Sequence, residues 1–150
     1  METDELMETD ELMETIVRRY FAEVLDLGNS GVVSELFTAD CKIHRPEFEI
    51  EGIANFTRFI AGVPKAFSSF ETTLHDLFGS EDRVAVRLTH RCTVRENLRS
   101  RLGVFPAANQ PVSWDAIAIF RFQDGRICEE WVNRDELGML INAGVMSTSQ

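Results

Sequence analysis

The sequence predicts one α+β domain in which three helices precede a curved, mostly antiparallel sheet. Apolar residues recur at spacings of three and four between Leu12 and Leu27, a pattern typical of a helix. Polar and apolar residues alternate from Arg83 to Arg95, as in a strand. An Asp124-Gly125 pair between two apolar-rich runs predicts a hairpin. With 150 residues, 44% of them hydrophobic, the chain has enough apolar side chains for a single core.

The N-terminus is a perfect tandem repeat, METDEL twice followed by MET. Its first 15 residues contain seven acidic side chains and no basic one, so most of the net charge of -10 arises there. A period of six matches neither a helix nor a strand, and two copies are too few for a solenoid. We therefore expect residues 1–14 to be a solvated, acidic extension of helix one, residues 15–146 to form the domain and residues 147–150 to be a short tail.

The three predicted helices are separated by recognisable end signals. Helix one ends at Gly28, where a glycine commonly terminates a helix. A short second helix extends to Phe37, and a brief strand over Cys41–Arg45 is halted by the following proline. Gly52 then opens a third amphipathic helix.

The remainder of the chain is predicted to be extended. Strands are expected over Phe70–Phe78 and Arg83–Arg95, with a polar loop over Asn97–Pro111. The Asp124-Gly125 hairpin follows, and Asp135–Leu140 is expected to form a last helical turn.

The two arms of the hairpin contain the residues that suggest a function. In the first arm, alternation places Trp114 and Phe120 on one face, and because both faces carry apolar residues we predict a central strand. In the second arm, strict alternation places Glu129 between Ile127 and Trp131. Glu129 is therefore predicted to be a partly desolvated carboxylate.

Composition and cysteine usage exclude several classes of function. Without the acidic repeat the chain is nearly balanced in charge, which argues against a nucleic-acid partner. The three cysteines are far apart and show no metal-ligand spacing, so we expect buried, reduced thiols, with neither a disulfide framework nor a bound metal. No apolar stretch is long enough to span a bilayer, and the acidic N-terminus is unlike a signal peptide, so we expect no membrane partner and a cytoplasmic protein.

The order of these elements resembles a known family. Arg18-Arg19-Tyr20 in helix one, Leu36–Asp40 leading into a strand that ends at Pro46, and Glu51-Gly52 opening a helix resemble the nuclear transport factor two-like superfamily, with an opening similar to that of ketosteroid isomerases. The second half, with Gly79–Val84, Val112–Trp114, Phe120–Phe122 and Asp124–Trp131, is more similar to the SnoaL-like polyketide cyclases. The resemblance covers residues 15–145 and implies a cone-shaped sheet that encloses one apolar pocket.

The resemblance also implies a chemistry, which is cofactor-free acid/base catalysis on small hydrophobic carbonyl compounds. Several positions depart from the pattern of the family. Arg45 stands where ketosteroid isomerases carry their base, and Ala118 where they carry an oxyanion-hole acid. Thr93–Glu96 replaces a Thr-His-x-Gly motif of the cyclases, and Val132 replaces the acid that tends to follow their tryptophan.

Four residues are candidates for proton transfer. Glu129 and Asp135 form a possible acid/base pair, because carboxylates in unlike environments take unlike pKa values. The structural alternative is that Glu129 pairs with an arginine such as Arg121 and that Asp135 caps the final helical turn. His90, on the apolar face of its strand, and His44 are the other candidates, either as ligand contacts or as helpers in proton transfer.

Aromatic side chains are the predicted lining of the pocket, namely Tyr20, Trp114, Phe120 and Trp131. The resemblance further implies that the outer face of the sheet, where Arg87, Arg91 and Arg95 lie, forms a homodimer.

Two rival functions stay open from the sequence. A non-catalytic ligand-binding or dimerising module is favoured by the departures from the family's catalytic positions. A limonene-type epoxide hydrolase would use Asp115, Arg121 and Asp135 around a water molecule. Our first prediction is a protein that binds a small hydrophobic, carbonyl-bearing metabolite and cyclises or isomerises it.

Overall fold

Four α-helices, a six-stranded sheet and a separate two-stranded sheet make up the described part of the chain. The structure is a computed structural model that describes the backbone of residues 2–147 and the side chains of residues 9–147. Of the predicted tail, residues 148–150 lie outside the described residues.

The helices follow the predicted order, but there are four of them and not three. Helix α1 (Glu2–Arg19) continues into a π-helical segment (Tyr20–Asp26), and a 3-10 turn (Ser30–Val32) leads into α2 (Val33–Leu36) and then α3 (Ile53–Ala66). The predicted last helical turn is a complete helix, α4 (Glu136–Asn142). It forms because the Asp135 side chain caps its N-terminus by accepting a hydrogen bond from the backbone N–H of Gly138.

The strands form one curved, mostly antiparallel sheet and one hairpin. Their bounds are β1 Phe37–His44, β2 Glu49–Glu51, β3 Phe67–Ser80, β4 Arg83–Val94, β5 Asn97–Ser100, β6 Gly103–Pro106, β7 Pro111–Gln123 and β8 Arg126–Arg134. The large sheet has the order β2-β1-β8-β7-β4-β3, in which only β1 and β8 run parallel among the described strands. The predicted polar loop was wrong over residues 97–106, because that segment pairs with itself as the β5–β6 hairpin.

The predicted β7–β8 hairpin is confirmed, and its turn explains the sequence. Asp124 has φ 53° and Gly125 has φ 81°, so both central residues adopt positive φ, as in a type I′ turn. The twist of that turn matches the twist of the two strands it joins.

One face of the sheet packs on the helices and forms the core. In β7, the residues that share a face with Trp114 and Phe120 are all buried, and so are those of β4 that share a face with His90, from Val84 to Val94. A larger apolar cluster lies between α1, the π-helical segment and the sheet, and a smaller one lies under α4 and the β5–β6 hairpin. The two clusters leave a cavity between them.

A β-bulge in β8 overturns the predicted faces of that strand. Phe122 pairs with Ile127 whereas Arg121 pairs with Glu129, so Cys128 is an extra residue in the ladder. Ile127 and Cys128 are both buried, and the alternation then restarts one residue out of phase. Glu130 therefore faces the core at 1% exposure, while Glu129 turns to the outer face.

Among the described residues, the helices lack the combination of length and hydrophobicity that a transmembrane span requires. The three cysteines, Cys41, Cys92 and Cys128, are all free and buried, as predicted.

Candidate functional site

A cavity of about 670 Å³ opens between α3, the inner face of the sheet and the β5–β6 hairpin. Its volume lies in the range of small-molecule binding sites. Apolar side chains form much of its wall, among them Leu25, Phe59, Phe67, Phe70, Trp114 and Val132. The polar groups that line it are fewer and include His90, Glu47 and four arginines.

His90 is the titratable group held most firmly in this wall. It lies on β4 directly opposite Thr72 of β3 on one side and Trp114 of β7 on the other. Its ring lies 5.0 Å from that of Phe70 and 5.4 Å from that of Trp114, between ring centroids, and only 8% of the residue is exposed. The sequence prediction that His90 lies on an inward, apolar face is confirmed.

A chain of hydrogen bonds determines the tautomer of His90. The hydroxyl of Thr72 donates to Asp26 Oδ1 at 2.7 Å, and the backbone N–H of Thr72 donates to Asp26 Oδ2 at 3.1 Å. Since that hydroxyl has a single proton, Nδ1 of His90 must donate to Thr72 Oγ1, 2.7 Å away. The neutral ring therefore carries its proton on Nδ1 and keeps the lone pair of Nε2 for a ligand.

The surroundings of His90 keep its imidazole neutral. Burial, followed by the positive charges of Arg45 and Arg134, lowers the pKa of His90 to about 3. At neutral pH the ring of His90 is thus uncharged, so it can act as a base but not as an acid.

Arg45 supplies a cation to the same cavity. Its guanidinium donates to Glu130 Oε1 at 3.1 Å and to the hydroxyl of Tyr20 at 3.3 Å, and it lies 5.3 Å from the ring centre of Phe59. Burial raises the pKa of Glu130, although the charge of Arg45 opposes that effect. The opposite charges of this pair hold each other in place beside the core.

Arg134 is the second cation close to His90, and it belongs to a longer chain of ion pairs. It contacts Glu47 at 2.7 Å and Glu136 at 3.3 Å, and it lies 5.6 Å from the ring centre of Trp114. Glu136 also pairs with Arg101 at 2.9 Å, which ties the β5–β6 turn to α4. These ion pairs therefore link the end of β8, the β5–β6 turn and α4 beside the cavity.

Three predicted site residues lie together on the outer face of the sheet instead. His44 Nε2 is 2.7 Å from Glu129 Oε2, and the His44 ring stacks on Trp131 at 5.5 Å. Glu129 also accepts two hydrogen bonds from Arg121, as the structural alternative predicted. Despite partial burial, the bonds from His44 and Arg121 lower the pKa of Glu129, whereas the bond to Glu129 raises the pKa of His44. The bulge in β8 is the physical reason why Glu129 and Trp131 are separated from the cavity.

The other predicted site residues occupy structural positions, apart from Trp114. Asp135 caps α4, which is the structural alternative that the sequence offered for it. Tyr20 and Phe120 are fully buried in the larger apolar cluster. Of the three residues suggested for an epoxide hydrolase, Asp115 is exposed on β7 and Arg121 points to the outer face, paired with Glu129.

Sequence reasoning missed Asp26, Thr72 and Arg134 as members of the site. Asp26 and Thr72 are 46 residues apart, and no spacing rule connects the end of a helix to a strand that far away. Arg134 could have been found, because side chains two residues apart on a strand lie on the same face. Val132 lines the cavity, so Arg134 does too. The described residues contain no cluster of three or more His, Cys, Asp or Glu side chains that could bind a metal ion.

Comparison with known proteins gives a consistent family and fold. The family model for SnoaL-like polyketide cyclase matches residues 15–142. No curated protein sequence matches the chain.

Several solved structures are similar in fold. TsrD from Streptomyces laurentii superimposes with a TM-score of 0.79 at 19% identity, covering 91% of this chain and 97% of its own. AclR from Streptomyces galilaeus has a TM-score of 0.70 at 26% identity, and the match covers 97% of this chain and 90% of AclR. An LEH-like epoxide hydrolase from M. tuberculosis has a TM-score of 0.71 at 15% identity, and the match covers 89% of this chain and 90% of the hydrolase.

Proposed function

Since the chain belongs to the SnoaL-like polyketide cyclase family, we propose that it binds a small apolar carbonyl compound in the 670 Å³ cavity and transfers a proton on it without a cofactor. The observation that carries the proposal is the orientation of His90 by Thr72 and Asp26, which leaves Nε2 free to accept a proton. His90 is the base, and Thr72 and Asp26 are positioning residues.

The chemistry follows from the groups that line the cavity. Nε2 of His90 removes a proton from the carbon next to the substrate carbonyl, and the electron pair of that C–H bond moves onto the carbonyl oxygen to give an enolate. The guanidinium groups of Arg45 and Arg134 stabilise this negative charge in a poorly solvated site. Returning the proton to a different carbon isomerises the substrate. Attack of the enolate carbon on a second carbonyl forms a ring, and the imidazolium then protonates the new alkoxide.

The low pKa of His90 restricts the substrates that it can act on. A weakly basic imidazole removes only protons that a carbonyl and a second activating group acidify. A carbon between two carbonyls, or between a carbonyl and an aromatic ring, meets that condition. The apolar wall formed by Phe67, Phe70 and Trp114 fits the carbon skeleton of such a molecule.

Proton exchange on a model ketone tests the proposal without knowledge of the natural substrate. The probe is 2-tetralone in D₂O, whose C1 protons lie between a carbonyl and an aromatic ring, and 1H NMR follows their replacement by deuterium. We expect His90→Gln to lower the protein-catalysed rate by about 10²-fold or more, because the general base is lost. Thr72→Val should lower it by roughly tenfold, the equivalent of one hydrogen bond.

Matched variants on the outer face make this test specific. His44→Gln and Glu129→Gln remove titratable groups outside the cavity and should leave the exchange rate unchanged. If these variants abolish exchange while His90→Gln retains it, the active groups lie on the outer face and the assignment to the cavity is wrong.

A ligand-binding module without catalysis is the alternative, and one observation favours it. The three carboxylates around the cavity, Glu47, Glu130 and Glu136, are each paired with an arginine, so none is a free base. Under this alternative the probe binds and shifts the signals of cavity residues, but the exchange rate equals that of the ketone in buffer.

The outer face of the sheet supports a homodimer. Ile117 is 57% exposed and Ile119 is 38% exposed, and they lie beside Trp131 in a pocket of about 240 Å³. A second copy of the chain would cover these side chains and remove apolar surface from water. Sedimentation analysis should show a dimer that Ile117→Lys dissociates, whereas Leu137→Lys, at an exposed apolar residue of α4, leaves it intact. A monomeric wild-type protein at high micromolar concentration would exclude this interface.

A further inference from the structure

The charge of the cavity differs in sign from that of the whole chain. The protein has a net charge of -10, yet four arginines and a single glutamate line the cavity. Such a local excess of positive charge within an acidic protein attracts and orients anions.

Three of these four arginines already have carboxylate partners. Arg45 pairs with Glu130 at 3.1 Å, and Arg134 pairs with Glu47 at 2.7 Å. Arg101 pairs with Glu136 at 2.9 Å.

Arg99 is the remaining cavity-lining arginine, and it makes no ion pair with any of the described residues. Four guanidinium groups therefore face three carboxylates, and the excess positive charge is that of Arg99.

The β5–β6 hairpin positions Arg99 at the rim of the cavity. Leu98 is fully buried and anchors β5 to the smaller apolar cluster. Because side chains alternate along a strand, Asn97 and Arg99 share the opposite side, and both line the cavity. The neighbouring turn is fixed by Arg101, whose backbone N–H and guanidinium both bind Glu136.

We propose that the ligand of this cavity carries a carboxylate beside Arg99, in addition to the apolar carbonyl-bearing body that contacts Phe67, Phe70 and Trp114. An arginine guanidinium can bind a carboxylate through two parallel hydrogen bonds, and the side-chain amide of Asn97 adds a neutral donor at the same rim. This inference rests on the proposed function, since it names the substrate class of the same cavity.

Two probes that differ only in charge test this inference. They are 2-naphthoate and its methyl ester, which share one aromatic body, and their binding to the full-length protein is measured by isothermal titration calorimetry at low and high salt. The wild-type protein should bind the acid about tenfold more tightly than the ester, and salt should weaken binding of the acid alone.

The variant Arg99→Gln should remove this preference by weakening binding of the acid about tenfold and leaving the ester unaffected. The control is Arg87→Gln, at an exposed arginine that pairs with Asp76 on another part of the sheet and does not line the cavity. It should change neither affinity.

Three results would overturn the inference, and they are distinguishable from failure of the proposed function. Equal affinity of the wild type for acid and ester, or retention of the preference in Arg99→Gln, rejects the carboxylate site. In either case His90-dependent exchange of the neutral 2-tetralone still supports the proposed function. Failure of both probes to bind also rejects the inference, and if the ketone is not exchanged either, the proposed function fails with it.

Discussion

Removing His90 should make the protein less sensitive to acid. In the unfolded chain a histidine has a pKa of about 6.5, whereas burial, Arg45 and Arg134 lower that of His90 to about 3 in the folded protein. Between these two values the unfolded state binds one more proton than the folded state, so the free energy of unfolding falls as the pH falls.

The size of this effect can be worked out from the shift. Each pH unit inside the window costs about 1.4 kcal/mol per proton, so lowering the pH from about 7 to about 5 removes about 2 kcal/mol through His90 alone. That loss is large beside a typical total stability of about 5–15 kcal/mol. His90→Gln and His90→Phe should therefore each lose about 2 kcal/mol less than the wild type over the same interval.

Urea denaturation followed by far-UV circular dichroism at about pH 7, 6 and 5 measures this difference. Any variant that is destabilised at neutral pH serves as its own reference, because the comparison is between slopes and not between absolute stabilities. Glutamine and phenylalanine pack differently against Thr72 and Trp114, but neither takes up a proton. An effect that both variants share therefore comes from loss of the titrating group and not from changed packing. If both variants lose as much stability as the wild type on acidification, His90 is not a buried neutral imidazole in the folded protein.

Three further experiments test the fold. Arg45→Met should lower the free energy of unfolding by about 3–5 kcal/mol, because it leaves Glu130 buried without its partner. Adding Glu130→Gln to this variant should recover part of that loss. If urea denaturation shows no loss of stability for Arg45→Met alone, the buried pair is contradicted. Gly125→Ala should destabilise the protein by about 1–2 kcal/mol, because a φ of 81° is costly for alanine. The control is Gly62→Ala inside α3, where an added Cβ meets nothing within 4 Å, and it should stabilise the protein by about 0.5–1 kcal/mol. Equal effects of the two substitutions would refute the type I′ turn. Deleting residues 1–6, one copy of the acidic repeat, should change the free energy of unfolding by less than about 0.5 kcal/mol. If calorimetry shows a larger loss of stability, the repeat packs on the domain.

The order of elements was predictable because local patterns encode it. The Asp124-Gly125 pair predicts the hairpin, since only residues that tolerate positive φ fit its turn. The inward face of β7, including Trp114, follows from strict alternation. The β5–β6 hairpin was missed because each of its strands is only four residues long, which is too short for a clear alternating pattern.

The candidate site was less predictable, for two physical reasons. The bulge at Cys128 reverses which residues of β8 face inward, and nothing in the alternation of the sequence announces an extra residue. The positioning of His90 depends on Thr72 across the sheet and on Asp26 from the end of the π-helical segment, and such contacts exist only after the chain has folded. Glu129 illustrates the result, because the residues two positions away on either side, Ile127 and Trp131, are apolar, whereas its partners in space are His44 and Arg121.

Determining the tautomer of His90 is the measurement that bears most directly on the proposed function. The chain has three histidines, so a long-range 15N–1H correlation spectrum of histidine-labelled protein is simple, and His90→Gln assigns the signal. At neutral pH the spectrum should show Nδ1 protonated and Nε2 unprotonated, and the Nε2 signal should shift when 2-tetralone is added. A protonated Nε2, or a doubly protonated ring, would contradict the account, because His90 would then have no lone pair directed at a ligand.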